Sequence, residues 1–179
     1  YDKTKLVPFG EYIPLRNYWG SLAKLLALKD FTSGKFVSNA SLDGYGKIIT
    51  LICYEILFAD KILNRISKNT NLLINITNDA WFGKTIGPYQ HLALAKIKAV
   101  EFGIPLARVA NTGISAFISP YGEILSKIPL FKEGAKTIQL VRPLDNTFYK
   151  IYGNYIFIIS ILFLIIINII HHLNFKKES

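Results

Sequence analysis

The chain has 179 residues, 51% of them hydrophobic, with 21 Lys and Arg against 12 Asp and Glu for a formal net charge of +9. That is enough length for one domain with a real core and too much apolar content for extended disorder, and one cysteine excludes an intrachain disulfide. The basic residues are scattered in pairs such as Lys96/Lys98 and Lys176/Lys177 instead of clustered on one face, which argues against nucleic acid as a partner and for a membrane surface.

Residues 1–15, YDKTKLVPFGEYIPL, read as an extended segment entering a turn, because Pro8, Gly10 and Pro14 bar a continuous helix. Residues 17–30 suit a short helix, and FTSGKF and SNASLDGYG after it are polar and turn-rich. The β-branched run 47–53 predicts a buried strand, 59–67 a helix and 71–77 a second buried strand. NDAWFGKTIGP is a loop. Pro88 opens a helix reaching about Phe102, with Leu92, Ala95, Ala99 and Phe102 on one face and Gly103 as its stop. PLARVAN and ISAFIS predict two further strands, the Pro120-Tyr121-Gly122 turn makes 114–128 a hairpin, and KTIQLV is a last strand candidate. This alternation predicts an α/β layered domain over residues 1–150.

Residues 151–173 contain no Asp, Glu, Lys or Arg. About 20 apolar residues cross a bilayer as a helix, whereas a core helix in so small a domain rarely stays apolar on every face. A transmembrane helix is therefore expected over 151–173, with Tyr152 and Tyr155 at one interface. Lys176 and Lys177 make 174–179 a short basic cytoplasmic tail and put residues 1–150 on the external side.

Cys53 stands at a predicted strand end, just before a predicted helix. A rigid strand end suits a nucleophile, but from position alone a lone thiol in an apolar run reads first as a buried, inert small side chain. Glu55 follows within LICYEILF, where a carboxylate needs a functional or structural partner. Asn78-Asp79-Ala80-Trp81-Phe82-Gly83 leaves the next strand as a polar-aromatic loop, a common setting for a site and also for a packed turn. His91 is the one histidine in reach to serve as a base, but it reads first as a helix residue packed beside the loop, while His171 and His172 lie beyond reach.

Taken in order, YDKTKLVPFGEYIP, LICYEILF, NDAWFG, GPYQHLALAKIKAVEFGIPLARVANTGISAFISPYGEI and the terminal hydrophobic helix resemble the apolipoprotein N-acyltransferases, membrane members of the nitrilase (carbon–nitrogen hydrolase) superfamily. The resemblance implies a partial αββα nitrilase-type sandwich followed by one C-terminal transmembrane helix. It implies a Glu-Lys-Cys triad in which Cys53 is the nucleophile and Lys3 the lysine. Glu11, Glu55 and Tyr54 then occupy supporting motif positions, and Trp81 lies on a substrate-entrance loop. The implied reaction takes an acyl group from a phospholipid donor onto Cys53 as a thioester. It then passes the group to the N-terminal amine of a diacylated apolipoprotein acceptor, with no metal and no cofactor. The implied setting is the bacterial inner membrane, with the catalytic domain periplasmic and the C-terminus cytoplasmic.

The family's triad glutamate and its N-terminal membrane helices lie upstream of the lysine motif. With no Met in the chain, residue 1 reads as something other than a natural start, so the missing N-terminal portion of the same enzyme is itself an expected partner. A partial sandwich is expected to leave sheet edges and apolar faces uncovered. A nitrilase-type amidase, a non-catalytic split-gene remnant and an anchored binding module are the alternatives.

Overall fold

The fold is that of a computed structural model in which residues 1–18, 30–35 and 39–178 are described. Six strands lie side by side in chain order in one sheet: β1 (Ala40–Leu42), β2 (Gly46–Ile52), β3 (Thr70–Asn78), β4 (Leu106–Asn111), β5 (Ser115–Ile118) and β6 (Ile124–Ile128). The central β2, β3 and β4 run parallel, as their apolar, β-branched sequences require of strands buried in a sheet interior. β1 flanks them antiparallel on one side, and the β5–β6 hairpin on the other. Between β2 and β3 the chain makes a 3-10 turn (Cys53–Leu57) and a short helix, α1 (Ala59–Leu63); between β3 and β4 it forms α2 (Gly87–Phe102).

Side chains alternate across the sheet, so each strand offers one set of residues to each face. Ile49 and Leu51 of β2, Leu73 of β3, Leu106 of β4 and Ile118 of β5 pack with Leu92, Ala95, Ala99 and Phe102 of α2 and with Ile56 and Ile62. Burying each of the larger of these side chains stabilises the fold by about 1.5–3 kcal/mol. The opposite face is poorly covered. Ile76 and Val109, directly paired between β3 and β4, are 50% and 56% exposed. The described residues thus form one sheet with helices on one face and leave apolar side chains uncovered on the other.

α2 begins with Pro88 in its first turn and ends where Gly103 turns left-handed at φ 60°. A side chain there would also meet Thr147 and Leu144, so Gly103 is the stop its sequence position implied and a docking point for the chain beyond the sheet.

Four expectations are corrected. KTIQLV is not a strand: residues 136–141 have no regular secondary structure and pair with none of the six strands. SNASLDGYG holds β1, a strand hidden from sequence because all three of its residues are exposed and show no alternation. The 59–67 helix stops at Leu63, and Arg65 beyond it reaches back to the Thr50 carbonyl and Asn39. The expected 151–173 helix is broken at Gly153, φ 53°, into α3 (Phe148–Tyr152) and α4 (Tyr155–Glu178). Among the described residues no helix is long and apolar enough to cross a membrane. The helix expected over 17–30 lies largely outside the described residues, of which Arg16–Tyr18 forms a 3-10 turn.

Candidate active site

Cys53 is the first residue past β2, and its backbone is left-handed, φ 54°. A non-glycine residue in that conformation stores about 1–3 kcal/mol and persists only where its surroundings impose it. The bend turns the partly exposed thiol into a cavity of about 210 Å³ lined by Val7, Gly10, Glu11, Cys53, Tyr54, Asn78, Trp81 and Phe82. Segments far apart in sequence therefore converge there: VPFGEY from the N-terminal strap, CYE from the β2 end and NDAWF from the β3 end.

Glu11 joins this cavity to Lys3. Its Oε1 takes a 2.6 Å ion-paired hydrogen bond from Lys3 Nζ, and its Oε2 accepts from the Val7 N–H at 2.8 Å. Both side chains of the pair are largely shielded, at 11% and 23% exposure, so the pair is less screened than a surface one. Lys3 itself faces a neighbouring cavity with Asp2, Phe31 and Ser33, and Glu11 borders both.

Glu55 stands apart from the Cys53 cavity. Its buried carboxylate accepts from the Thr4 N–H (2.7 Å), Thr4 Oγ1 (2.9 Å), the Lys5 N–H (3.1 Å), Tyr1 OH (2.9 Å) and the Ile52 N–H (2.8 Å). It ties the strap that carries Lys3 to the strand end that carries Cys53. Burial, with Glu55 beside it, raises the Tyr1 hydroxyl above its ordinary pKa.

Tyr54 stacks near His91, ring centroids 5.3 Å apart, and Phe82 completes the aromatic cluster. Trp81, 76% exposed, forms part of the cavity's outer wall. His91 is buried and does not line the cavity; it follows the packed-helix reading, with Nδ1 3.0 Å from Asp79 Oδ1.

Sequence reading passed over a buried polar cluster beneath the cavity. Arg108, on β4, donates to Asn75 Oδ1 and, at 2.7 Å, to Asp79 Oδ2; Thr77 donates to Asp79 Oδ1 at 3.1 Å. Burial alone would raise the Asp79 carboxyl, but the His91 hydrogen bond and the Arg108 charge outweigh it and hold it below the usual carboxylate range. Burial likewise lowers Arg108 from the usual guanidinium value, with Asp79 opposing. The available signal was a charge inside PLARVAN, a strand otherwise apolar.

An α/β sheet with a strained, accessible cysteine at a central strand end, beside a carboxylate–lysine pair, fits the class of thiol-dependent acyl-transfer folds. The carbon-nitrogen hydrolase family model matches residues 1–144, and the chain belongs to that family. An apolipoprotein N-acyltransferase of Haemophilus influenzae is 38% identical over 169 residues, covering 93% of this chain and 32% of the relative. That of Rickettsia prowazekii is 38% identical over 189 residues, 99% of this chain and 36% of the relative. That of Allorhizobium ampelinum is 42% identical over 142 residues, 75% and 26%. The chain thus spans about a third of the length of the first two and about a quarter of the third. Among solved structures, a variant of the Nesterenkonia AN1 amidase from the nitrilase superfamily matches with a TM-score of 0.50 at 21% identity, over 73% of this chain and 45% of that one, in keeping with a nitrilase-type fold. The family read from the motifs is borne out.

Proposed function

We propose that this chain is the nucleophile-bearing part of an apolipoprotein N-acyltransferase. The observation that carries the reading is the cavity holding Cys53 beside Glu11, itself bonded to Lys3. Relatives of that name match nearly the whole chain.

In the proposed cycle the Cys53 thiol loses its proton to a glutamate base upstream of Lys3. The thiolate attacks a phospholipid ester carbonyl; the C–S bond forms, the ester C–O bond breaks, and the lysophospholipid leaves with the proton. The free N-terminal amine of a diacylated lipoprotein then attacks the thioester. The amide forms, the C–S bond breaks, and the amine's proton returns the thiol to its starting state. The Lys3 ammonium stabilises negative charge as it develops on the carbonyl oxygen, and Glu11 fixes that ammonium in place. Tyr54 supports the cavity wall, Glu55 holds the strap in register, and Trp81 meets the lipid substrates at the entrance.

Both substrates are lipid-anchored, so attachment of the domain to the bacterial inner membrane on its periplasmic side brings them to Cys53 at high effective concentration. Support for that attachment comes from α4, a 24-residue helix whose described apolar side chains, among them Phe157, Leu162 and Leu164, are exposed. In this reading α4 crosses the membrane and its basic end is cytoplasmic.

The test is acyl transfer by the complete protein in membranes, from phospholipid to a diacylated lipopeptide. Cys53→Ala abolishes turnover if the proposal holds. Retained turnover overturns the role of Cys53; hydrolysis of soluble amides without reaction on phospholipid replaces the proposal with the amidase reading.

A further inference from the structure

The geometry points to Arg108 and Asn75 as positioning residues that hold the Cys53 backbone in its strained turn, a role that rests on Cys53 being the nucleophile. Asn75 Nδ2 donates to two carbonyls at the β2 end, Leu51 O at 3.3 Å and Cys53 O at 3.2 Å. These bonds grip the chain on either side of Ile52, where it leaves the sheet and turns left-handed. The Asn75 amide can aim both hydrogens this way only because its oxygen is occupied. Arg108, its direct partner in the β3–β4 register, donates to Asn75 Oδ1 and fixes which end of the amide faces Cys53.

Arg108 is fixed in turn by Asp79, which neutralises it, and Gly113 lies so close that a Cβ there would fall 2.3 Å from Asp79 Oδ2. Asn75, Asp79 and Arg108 are each at least 99% buried, so water does not substitute for any lost bond. The thiol thus sits at the end of a fixed chain running Asp79, Arg108, Asn75, Cys53. The charged and titratable groups around it are Glu11 from the strap, Tyr54 beside it and Arg108 from β4, whose charge interacts with Cys53.

The experiment measures alkylation of Cys53 by iodoacetamide across pH in the complete protein, read on the Cys53 peptide by mass spectrometry, with thermal denaturation of each variant. Asn75→Asp keeps the volume and a partner for Arg108 but replaces the donor facing the two carbonyls with an acceptor. It loses both contacts to the carbonyls, so it is expected to melt below the parent temperature while staying folded under the assay conditions, and to alkylate about tenfold more slowly, with the profile displaced to higher pH by the added anion. Arg108→Lys keeps the charge but not the two-pronged geometry and is expected to slow alkylation without that displacement. Folded variants with parental rate and profile overturn the inference while leaving the nucleophile reading intact. A parent Cys53 that is inert to alkylation overturns both. If Arg108→Lys fails to fold, the folded Asn75→Asp protein still decides the matter.

Discussion

Glu55 is two residues from the thiol, yet its hydrogen bonds go to the chain around it and not into the Cys53 cavity. Glu55→Ala leaves three backbone N–H groups, of Thr4, Lys5 and Ile52, without their acceptor. The hydroxyls of Tyr1 and Thr4 can turn to water; the N–H groups are partly buried and cannot all do so. At roughly 1–2 kcal/mol for each stranded donor, the loss comes to about 3–6 kcal/mol. That is a large share of the ~5–15 kcal/mol by which a domain is stable. It falls first on residues 1–5, which would open before the sheet does. The assay pairs urea denaturation with hydrogen exchange at the Thr4 and Lys5 amides. Deprotection of those amides is expected at urea concentrations that leave β3 intact, with activity falling because Lys3 leaves Glu11. Glu55→Gln keeps one acceptor oxygen and should recover part of the loss. A cost below about 1 kcal/mol with unchanged protection at Thr4 and Lys5 would refute the reasoning.

Three further outcomes follow from the same geometry. Gly113→Ala drives a methyl into the Asp79 carboxylate and should cost about 1–3 kcal/mol in chemical denaturation, a value an ordinary surface loop glycine would not reach. The Asp79 carboxyl is held below its unfolded pKa, so its contribution is complete above about pH 4 and disappears as pH falls through the folded value; acid denaturation profiles should show a shallower loss for Asp79→Asn below about pH 4, and identical slopes would contradict this. Trp81→Ala removes an exposed side chain, so stability should change by less than about 0.5 kcal/mol while KM for the lipid-linked acceptor rises; an unchanged KM would remove Trp81 from the entrance.

Much of this arrangement was legible in sequence because it is local. KIITLIC and NLLINIT suit strands by their β-branched, apolar content, the helix from Pro88 carried its own start and stop, and Cys53 fell at a strand end by counting. Glu55 was recognised as a carboxylate needing a partner, but apart from the Ile52 N–H its partners lie some fifty residues away, in a strap whose path no periodicity describes. Arg108 posed the same question from within PLARVAN. Its answer, Asn75 across the ladder and Asp79 past the β3 end, depends on β3 and β4 being parallel neighbours in a given register. KTIQLV failed for the converse reason: its pattern permits a strand, yet a strand also requires ladder bonds to a neighbour, and residues 136–141 form none with the β6 edge. Gly153 and Asn154 divide a run read as one helix because it contains no Asp, Glu, Lys or Arg.

The central claim is that Cys53 carries the acyl group. Incubating the complete protein with phospholipid, quenching in acid and analysing the peptides by mass spectrometry tests it most directly. The account predicts a fatty acyl thioester on Cys53, discharged by a diacylated lipopeptide amine and absent from Cys53→Ala. An acyl group on any other side chain, or lipopeptide acylation proceeding in Cys53→Ala, would contradict it.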